Sequence, residues 1–247
     1  MNTRVLLQPA YVIHRRPFRN TSLLVDFFCP EHGRIAAVAR GARRGKSRMH
    51  GLLQAFQPLR ISFSGRGDVK TLTNAESAGA AVPLTGERLF SGFYINELLS
   101  RMLHDHVEHP RLYEVYRETL EALANTALLE RVLRRFELEL LAELGYAVNL
   151  ESDCREHEPI ADDKFYRYLP DVGFEVARED ENDRKRIFAG AHLLALGRLA
   201  LEDPEIAASA KRLLRQALEV HLGGRPLHSR ALFTSASGGK ESNQVAD

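Results

Sequence analysis

The sequence predicts a multidomain α+β protein in which a small N-terminal β-barrel is followed by an α-helical domain. Short apolar or alternating runs, separated by turns rich in Gly, Pro and Asn, fill residues 4–80. From residue 83 onward the apolar residues recur at the spacing of amphipathic helices. Residues 1–80 hold 13 Lys/Arg and 4 Asp/Glu, a charge of +9, whereas the remainder holds 21 and 29, a charge of −8. This asymmetry suggests a polyanion-binding module joined to a second domain.

Five runs in the N-terminal part have the length and composition of β-strands. They are RVLLQPAYVIHRR, TSLLVDFFC, GRIAAVARG, LRISFSG and VKTLTNAE. About five strands in about 80 residues are typical of an OB-like or an SH3-like barrel. Residues 43–58, RRGKSRMHGLLQAFQP, separate the third strand from the fourth, and we expect a long loop with one helical turn there.

The second part contains five segments with helical periodicity. They cover residues 83–106, 110–125, 128–146, 189–201 and 204–223. Gly145 is expected to cap the third helix. Residues 149–186 lose the periodicity and form a polar insert, in which FYRYLPDVGFEVA is expected to be a short hairpin. The expected domains are residues 1–80, residues 81–234 and a disordered tail at 235–247.

Composition and cysteine usage argue against a membrane protein, a secreted protein and a disulfide-rich or four-cysteine zinc protein. No apolar run approaches the roughly 20 residues that cross a bilayer, and the N-terminus lacks the apolar core of a signal peptide. We therefore expect a cytoplasmic protein with no membrane partner. Cys29 and Cys154 exclude a disulfide framework and a four-cysteine zinc site. Each cysteine precedes a histidine by three residues, so the two Cys–His pairs could in principle share one zinc ion. A hairpin turn is the favoured interpretation at Cys29, and no metal site is predicted.

The stretch GARRGKS at 41–47 is one residue too short for a phosphate-binding P-loop. A P-loop has four residues between its glycines, whereas three separate Gly41 from Gly45. Gly51 and Pro58 also fall where a long phosphate-capping helix would lie. We interpret the stretch as a basic loop that contacts a nucleic-acid backbone, with a solvated loop as the alternative.

The cations that we predict to bind DNA lie in this loop and on the adjoining strands and turns. They are Arg34, Arg40, Arg43, Arg44, Lys46, Arg48, Arg66 and Lys70. A basic groove on an OB-like barrel commonly holds single-stranded nucleic acid, with aromatic side chains that stack on bases. Alternation assigns most barrel aromatics to the core, and only Phe18 or Phe56 is expected to be exposed.

No motif supports a catalytic function. The sequence has no G-x-S-x-G, no H-E-x-x-H and no paired acidic motif of nuclease type. We expect a non-enzymatic protein without a cofactor. A nucleotide hydrolase using GARRGKS, and a scaffold whose basic face meets an acidic partner, are the alternatives.

The third helical segment carries Arg134 and Arg135 beside a stripe of Leu133, Leu138 and Leu141. Arginines beside an apolar groove can hold a short peptide that ends in aspartate and an aromatic residue. Spacing alone favours a core helix whose arginines face water or neighbouring glutamates.

Several stretches, in order along nearly the whole chain, resemble the RecO family of recombination mediators. They are HRRPFRNTSLLVDFF at 14–28, GRIAAVARGAR at 33–43, GRGDVKTL at 65–72, SGFYINELLSR at 91–101, LRRFELELLAELGY at 133–146 and HLGGRPLHSR at 221–230. The resemblance implies an N-terminal OB-fold followed by a helical domain. It also implies binding of single- and double-stranded DNA, annealing of complementary strands, and partnership with RecR in loading RecA onto DNA coated by single-stranded-DNA-binding protein (SSB).

The resemblance also assigns roles to residues. It places the basic-loop and strand cations in the DNA-binding OB region. It places Arg134, with its neighbours Arg135 and Leu138, where the family's helical domain receives the acidic C-terminal tail of SSB. Some family members carry a four-cysteine zinc module in the middle of the chain, whereas the corresponding region here contains only Cys154, so metal binding is not implied.

Overall fold

The computed structural model describes residues 4–178, 183–229 and 231–233. The elements are β1 (Arg4–Phe18), β2 (Ser22–Cys29), β3 (Gly33–Ala39), α1 (Arg48–Leu52), β4 (Leu59–Ser64), β5 (Val69–Ser77), α2 (Gly86–Met102), α3 (Pro110–Asn125), α4 (Leu129–Glu143), β6 (Phe165–Leu169), β7 (Gly173–Val176), β8 (Ile187–Ala189), α5 (Gly190–Gly197) and α6 (Pro204–His221). They form two compact units, one reaching to Thr126 and including the segment from Leu227, the other spanning Ala127–Pro226. The tail expected at 235–247 lies outside the described residues.

Strands β1 to β5 close into a barrel in the order β1-β2-β3-β5-β4. All pairings are antiparallel except β3 with β5, where Ala36–Val38 runs parallel to Val69–Thr71. Five strands with a helix between β3 and β4 make an OB-like barrel, which confirms the predicted fold class and decides against the SH3-like alternative. Alternate residues of β2, such as Val25 and Phe27, are fully buried in the barrel core.

Helices α2 and α3 pack with the barrel through a cluster of aromatic side chains. Tyr11 of β1 and Phe28 of β2 contact Tyr113 and Tyr116 of α3, with ring centroids 5.1–6.0 Å apart. The Tyr116 hydroxyl donates to Asn96 Oδ1 of α2 at 2.7 Å. Burial raises the pKa of Tyr116 well above its usual value, so the phenol stays protonated as a donor. These contacts explain why the compact unit includes α2 and α3 and ends at Thr126.

The connection between α2 and α3 lies directly against the β2–β3 hairpin. The His106 amide donates to Arg34 O at 3.1 Å, and the His109 amide donates to Pro30 O at 3.0 Å. Gly33 has φ +56°, and a Cβ atom there would lie 1.8 Å from the carbonyl oxygen of Val107. Glycine is therefore required by both the backbone conformation and the close approach.

The second unit combines helices α4, α5 and α6 with a three-stranded sheet in the order β7-β6-β8. The β6–β7 hairpin confirms the predicted hairpin in the polar insert, and β8 is an additional strand that the sequence did not indicate. One face of the sheet is buried, through Tyr166, Tyr168, Phe174 and Phe188. Helix α4 ends in a Schellman motif, in which the Tyr146 amide donates to Leu141 O and the Gly145 amide to Ala142 O.

Among the described residues, no helix is long and apolar enough to cross a membrane. The described residues also contain no group of three or more His, Cys, Asp or Glu side chains that could hold a metal ion. Cys29 is buried in the barrel core beside the β2–β3 turn, as expected for a hairpin at this position.

Candidate nucleic-acid interface

The basic loop between β3 and α1 uses its backbone amides internally. The Arg43 amide donates to Thr21 O at 2.9 Å, the Arg44 amide to Gly41 O at 3.1 Å, and the Ser47 amide to Arg44 O at 2.9 Å. These N–H groups are therefore not available to surround a phosphate as a P-loop requires. The following helix α1 has only five residues, and the residue after it, Leu53, is buried in the barrel core. The loop consequently offers ligands its side chains rather than its backbone.

Four of the predicted DNA-binding cations lie in this loop, a fifth begins α1, and all five are exposed. They are Arg40, Arg43, Arg44, Lys46 and Arg48. The register of the strands fixes their position, since Leu23 of β2 pairs with Ala39 of β3, beside the β1–β2 turn. The loop therefore lies at the same end of the barrel as that turn.

The β1–β2 turn adds two cations that the sequence-based prediction missed. The Arg43 Nη1 atom donates to the carbonyl oxygen of Arg19 at 3.4 Å, which joins the turn to the loop. Arg16 and Arg19 are exposed at this end of β1. The signal was present as the run HRRPFR at 14–19, whose arginines are close in sequence to the turn. We define the basic rim as the following seven residues: Arg16, Arg19, Arg40, Arg43, Arg44, Lys46 and Arg48.

One of the two barrel aromatic side chains for which exposure was expected is buried. Phe56 is buried, 4% exposed, and its ring centroid lies 5.4 Å from that of Phe93, so its expected exposure was wrong. Phe18 is half-buried, and the Arg19 guanidinium carbon lies 5.3 Å from its ring centroid. Phe18 is therefore the aromatic side chain that adjoins the basic rim.

Arg34 is engaged within its own unit. Its Nε atom donates to Asp105 Oδ1 at 2.7 Å, and its Nη1 atom donates to the carbonyl oxygen of Ser100 at the end of α2. Nearby Asp26 is half-buried; burial raises the pKa of its carboxyl, and the charges of Arg34 and His14 offset part of this effect. Arg34 thus connects β3 to the helices, and we do not include it in the rim.

Arg66 lies in the β4–β5 turn, toward the other end of the barrel, and Lys70 lies on β5. Val69 pairs with Ala36 in the parallel β3–β5 ladder, so the turn that precedes Val69 lies on the Gly33 side of β3. The length of β3 between Gly33 and Ala39 is about 20 Å. Lys70 Nζ donates to the carbonyl oxygen of Gly67 within the same turn. Arg66 therefore lies away from the basic rim, whereas Lys70 is level with Ala37 in β3 and turns its ammonium group toward Gly67.

The three residues expected at the SSB-tail site share helix α4 but differ in environment. Arg134 is 3% exposed, and its Nη2 atom lies 2.6 Å from Oε1 of Glu137, which is 1% exposed. Its Nη1 atom lies 3.5 Å from Glu130 Oε2. Arg135 is exposed and Leu138 is half-buried. The geometry thus places Arg134 in an internal ion pair, and Arg135 and Leu138 nearer the surface.

Comparisons with known proteins cover almost the whole chain. Residues 1–81 match the family model described as Recombination protein O N terminal, and residues 83–231 match the one described as Recombination protein O C terminal. This division follows sequence families, whereas the compact units divide after α3.

Curated relatives carry the same description. The DNA repair protein RecO of Coxiella burnetii (strain RSA 331 / Henzerling II) is 46% identical over 234 residues, which are 94% of this chain and 100% of the relative. The DNA repair protein RecO of Methylococcus capsulatus is 45% identical over 235 residues, covering 95% and 96%. That of Escherichia coli O1:K1 / APEC is 44% identical over 227 residues, covering 92% and 93%. The chain therefore belongs to the RecO family of DNA repair proteins.

Proposed function

We propose that this protein binds single- and double-stranded DNA through the basic rim and anneals complementary strands there. The observation that carries this proposal is the grouping of seven exposed cations at one end of the barrel, from two separate chain segments that are hydrogen-bonded to each other. Side chains from two segments can follow a phosphate backbone without reading base edges, which suits binding that is independent of sequence.

The mechanism that we propose is electrostatic and non-covalent. Each neutralised phosphate releases condensed counterions, so affinity falls steeply with salt concentration. When two strands approach the same rim, its cations lower the repulsion between their phosphates and allow base pairing to begin. No step in this mechanism requires bond cleavage, a nucleotide or a metal ion.

We further propose that helix α4 receives the acidic C-terminal tail of SSB. Arg135 and Leu138 are separated by three residues and so lie on neighbouring positions of one helix face. A cation beside an apolar side chain suits a peptide that carries carboxylates and an aromatic residue. In this proposal the buried Arg134 positions the helix through its pair with Glu137, and Arg135 makes the contact. Docking on SSB would bring the protein to coated DNA, where RecR joins it in loading RecA.

Annealing of SSB-coated complementary oligonucleotides tests the proposal most directly. With intact SSB we expect rapid annealing, and with SSB that lacks its acidic tail we expect slower annealing although naked strands anneal equally well. A scaffold that uses its basic face for an acidic protein would behave differently, because the SSB-tail peptide would then compete with DNA for the same cations. Competition between tail peptide and naked DNA would therefore contradict two separate sites.

A further inference from the structure

Three chain segments of the second unit meet around one small cavity. Its volume is about 120 Å³, and it is lined by the residues after α4, the β6–β7 turn and the end of α6. The side chains of Tyr146, Tyr168, Asp171 and His221 are the polar and aromatic groups that matter for its chemistry. All four belong to the same compact unit. None of them is part of the proposed DNA or SSB-tail sites.

Asp171 lies in the turn that joins β6 to β7. The Val172 amide donates to Leu169 O at 3.0 Å and closes a β-turn, with Pro170 and Asp171 as its central residues. Asp171 has φ +60°, the conformation of the third residue of a type II turn, where glycine or asparagine is preferred. The turn places the Asp171 carboxylate in the lining of the cavity.

The Asp171 carboxylate points to a stacked pair of rings. His221 Nε2 lies 3.2 Å from Asp171 Oδ1, and the His221 ring stacks on Tyr146 with centroids 3.7 Å apart and planes 20° apart. The Asp171 side chain is still 52% exposed, so the pair with His221 leaves part of the carboxylate accessible. The two stacked rings and the half-exposed carboxylate therefore lie side by side in the cavity wall.

The rest of the cavity has the same electrostatic preference. Two helices, α4 and α6, end beside it, and the C-terminal end of a helix carries a partial negative charge. The Tyr168 phenol is neutral, and burial, with a smaller contribution from Asp171, raises its pKa to about 12. The aromatic faces present negative π-density. A cation is the ligand that the Asp171 carboxylate, the aromatic faces and the two helix ends favour.

We propose that this cavity binds the side chain of an arginine presented by a partner protein. A guanidinium is planar, so it stacks on tyrosine, and its parallel N–H groups pair with a carboxylate in two-point geometry. An arginine head group also suits the small volume of the cavity. The inference is independent of the proposed DNA binding, because the site lies in the other compact unit from the basic rim.

Titration of the full-length protein with a small arginine derivative tests the proposal. Nα-acetyl-argininamide is the probe, observed through the ring resonances of Tyr146 and His221 in NMR spectra. Nα-acetyl-citrullinamide, which has the same shape without the charge, and Nα-acetyl-lysinamide are the comparison probes. We expect saturable shifts confined to cavity residues with the arginine probe, and about tenfold or more weaker binding of citrulline. Equal binding of arginine and citrulline, or shifts spread over the surface, would overturn the proposal; tighter binding of lysine would replace arginine as the ligand.

Two substitutions at one position separate binding from folding. Asp171→Asn keeps the size and tolerates the positive φ, whereas Asp171→Gly also relieves the backbone conformation. Both variants should lose the arginine-induced shifts, and Asp171→Gly should keep or raise the thermal midpoint. Both should anneal DNA as the parent protein does. Retained binding in a folded Asp171→Asn protein would show that the carboxylate is not the recognition group and would refute the site.

Discussion

Arg34 and Asp105, which are 71 positions apart in the sequence, form a hydrogen-bonded ion pair with Nε and Oδ1 2.7 Å apart. The pair joins β3 of the barrel to the connection between α2 and α3. The same guanidinium also donates to the carbonyl oxygen of Ser100. A cation that sequence alone assigns to DNA is therefore used to hold the barrel and its helices together.

Arg34→Ala should consequently lower stability more than DNA affinity. We expect the free energy of unfolding to fall by about 1–2 kcal/mol, because a charged hydrogen bond to a carboxylate and one to a carbonyl are lost from a partly exposed site. Urea denaturation and DNA titration measure the two effects. Arg43→Ala is the matched control, and it should weaken DNA binding with little change in stability. If Arg34→Ala instead behaved like Arg43→Ala, Arg34 would belong to the DNA interface.

Charge reversal in the loop should abolish annealing. In Arg43→Glu/Arg44→Glu/Lys46→Glu the rim loses three cations and gains three anions, so two DNA strands no longer meet a positive surface. For single strands, each lost phosphate contact should reduce the salt slope of log affinity by about 0.7. Fluorescence annealing assays and DNA titrations at several salt concentrations check this.

Arg66→Glu/Lys70→Glu is the control for that experiment, because it reverses two charges outside the basic rim, one in the β4–β5 turn and one near the start of β5. We expect it to retain annealing at moderate salt. Unchanged annealing in the loop variant, or equal losses in both variants, would show that annealing depends on net charge or on another surface rather than on the basic rim.

Glu97 should make the protein sensitive to acid. Burial by itself would raise the pKa of this carboxyl, but hydrogen bonds from the Ser229 amide and hydroxyl and from the His228 amide outweigh it and lower the pKa. A carboxyl with a lowered folded-state pKa stabilises the fold above its unfolded pKa of about 4.3, and this stabilisation is lost as the pH falls through the folded value.

Thermal midpoints measured from pH 7 down to pH 3 test this linkage. Glu97→Gln should be less stable than the parent at neutral pH and should lose less stability on acidification. Ser229→Ala removes one of the donors and should fall between the two proteins. Parallel pH curves for the parent and Glu97→Gln would mean that this carboxylate does not contribute to acid sensitivity.

Breaking the Arg134–Glu137 pair should be costly. Arg134→Ala leaves the buried Glu137 without the cation 2.6 Å away, and removal of one partner of a buried ion pair typically costs about 3–5 kcal/mol. The double variant Arg134→Met/Glu137→Leu should recover most of that loss, because no buried charge remains. Urea denaturation gives both values, and a loss below about 0.5 kcal/mol for Arg134→Ala would contradict the buried pair.

Arg135→Ala should separate peptide binding from stability. Because Arg135 is exposed on the same helix, we expect little change in the unfolding midpoint but weaker binding of an SSB-tail peptide in a fluorescence titration. Binding to naked DNA should be retained. Tail affinity equal to that of the parent would remove Arg135 from the proposed contact.

Much of the fold is visible in the sequence because its signals are local. The alternation that buries Val25 and Phe27, and the helical spacing from residue 83, identified the five barrel strands and five of the helices. The parallel pairing of β3 with β5 has no such signal, since it joins segments separated by a helix and a strand. Burial of Phe28 beneath α3 depends on the same kind of distant packing.

The same distinction between local and distant signals applies to the candidate sites. Charge in GARRGKS is a property of the residues themselves, but the use of a charge depends on its neighbours in space. For Arg134 the neighbours Glu130 and Glu137 lie within one helical turn, so spacing alone had favoured glutamate partners, although not their burial. For Arg34 the partner, Asp105, is distant in sequence, so no local pattern could indicate the ion pair when a DNA contact was predicted. Arg16 and Arg19 became part of the rim only when the strand register placed the β1–β2 turn beside the loop.

The barrel is closed by a short parallel pairing between β3 and β5. Only three residue pairs connect β3 to β5, whereas seven connect β2 to β3. Local opening requires the least free energy where few backbone hydrogen bonds are broken. The amides of the β3–β5 pairing should therefore exchange with deuterium before those of the β2–β3 ladder. The β3–β5 pairing ends at Val38, one residue before β3 ends at Ala39 and the basic loop begins. Transient opening of the β3–β5 pairing would change the distances between the rim cations, while the β2–β3 ladder stays folded.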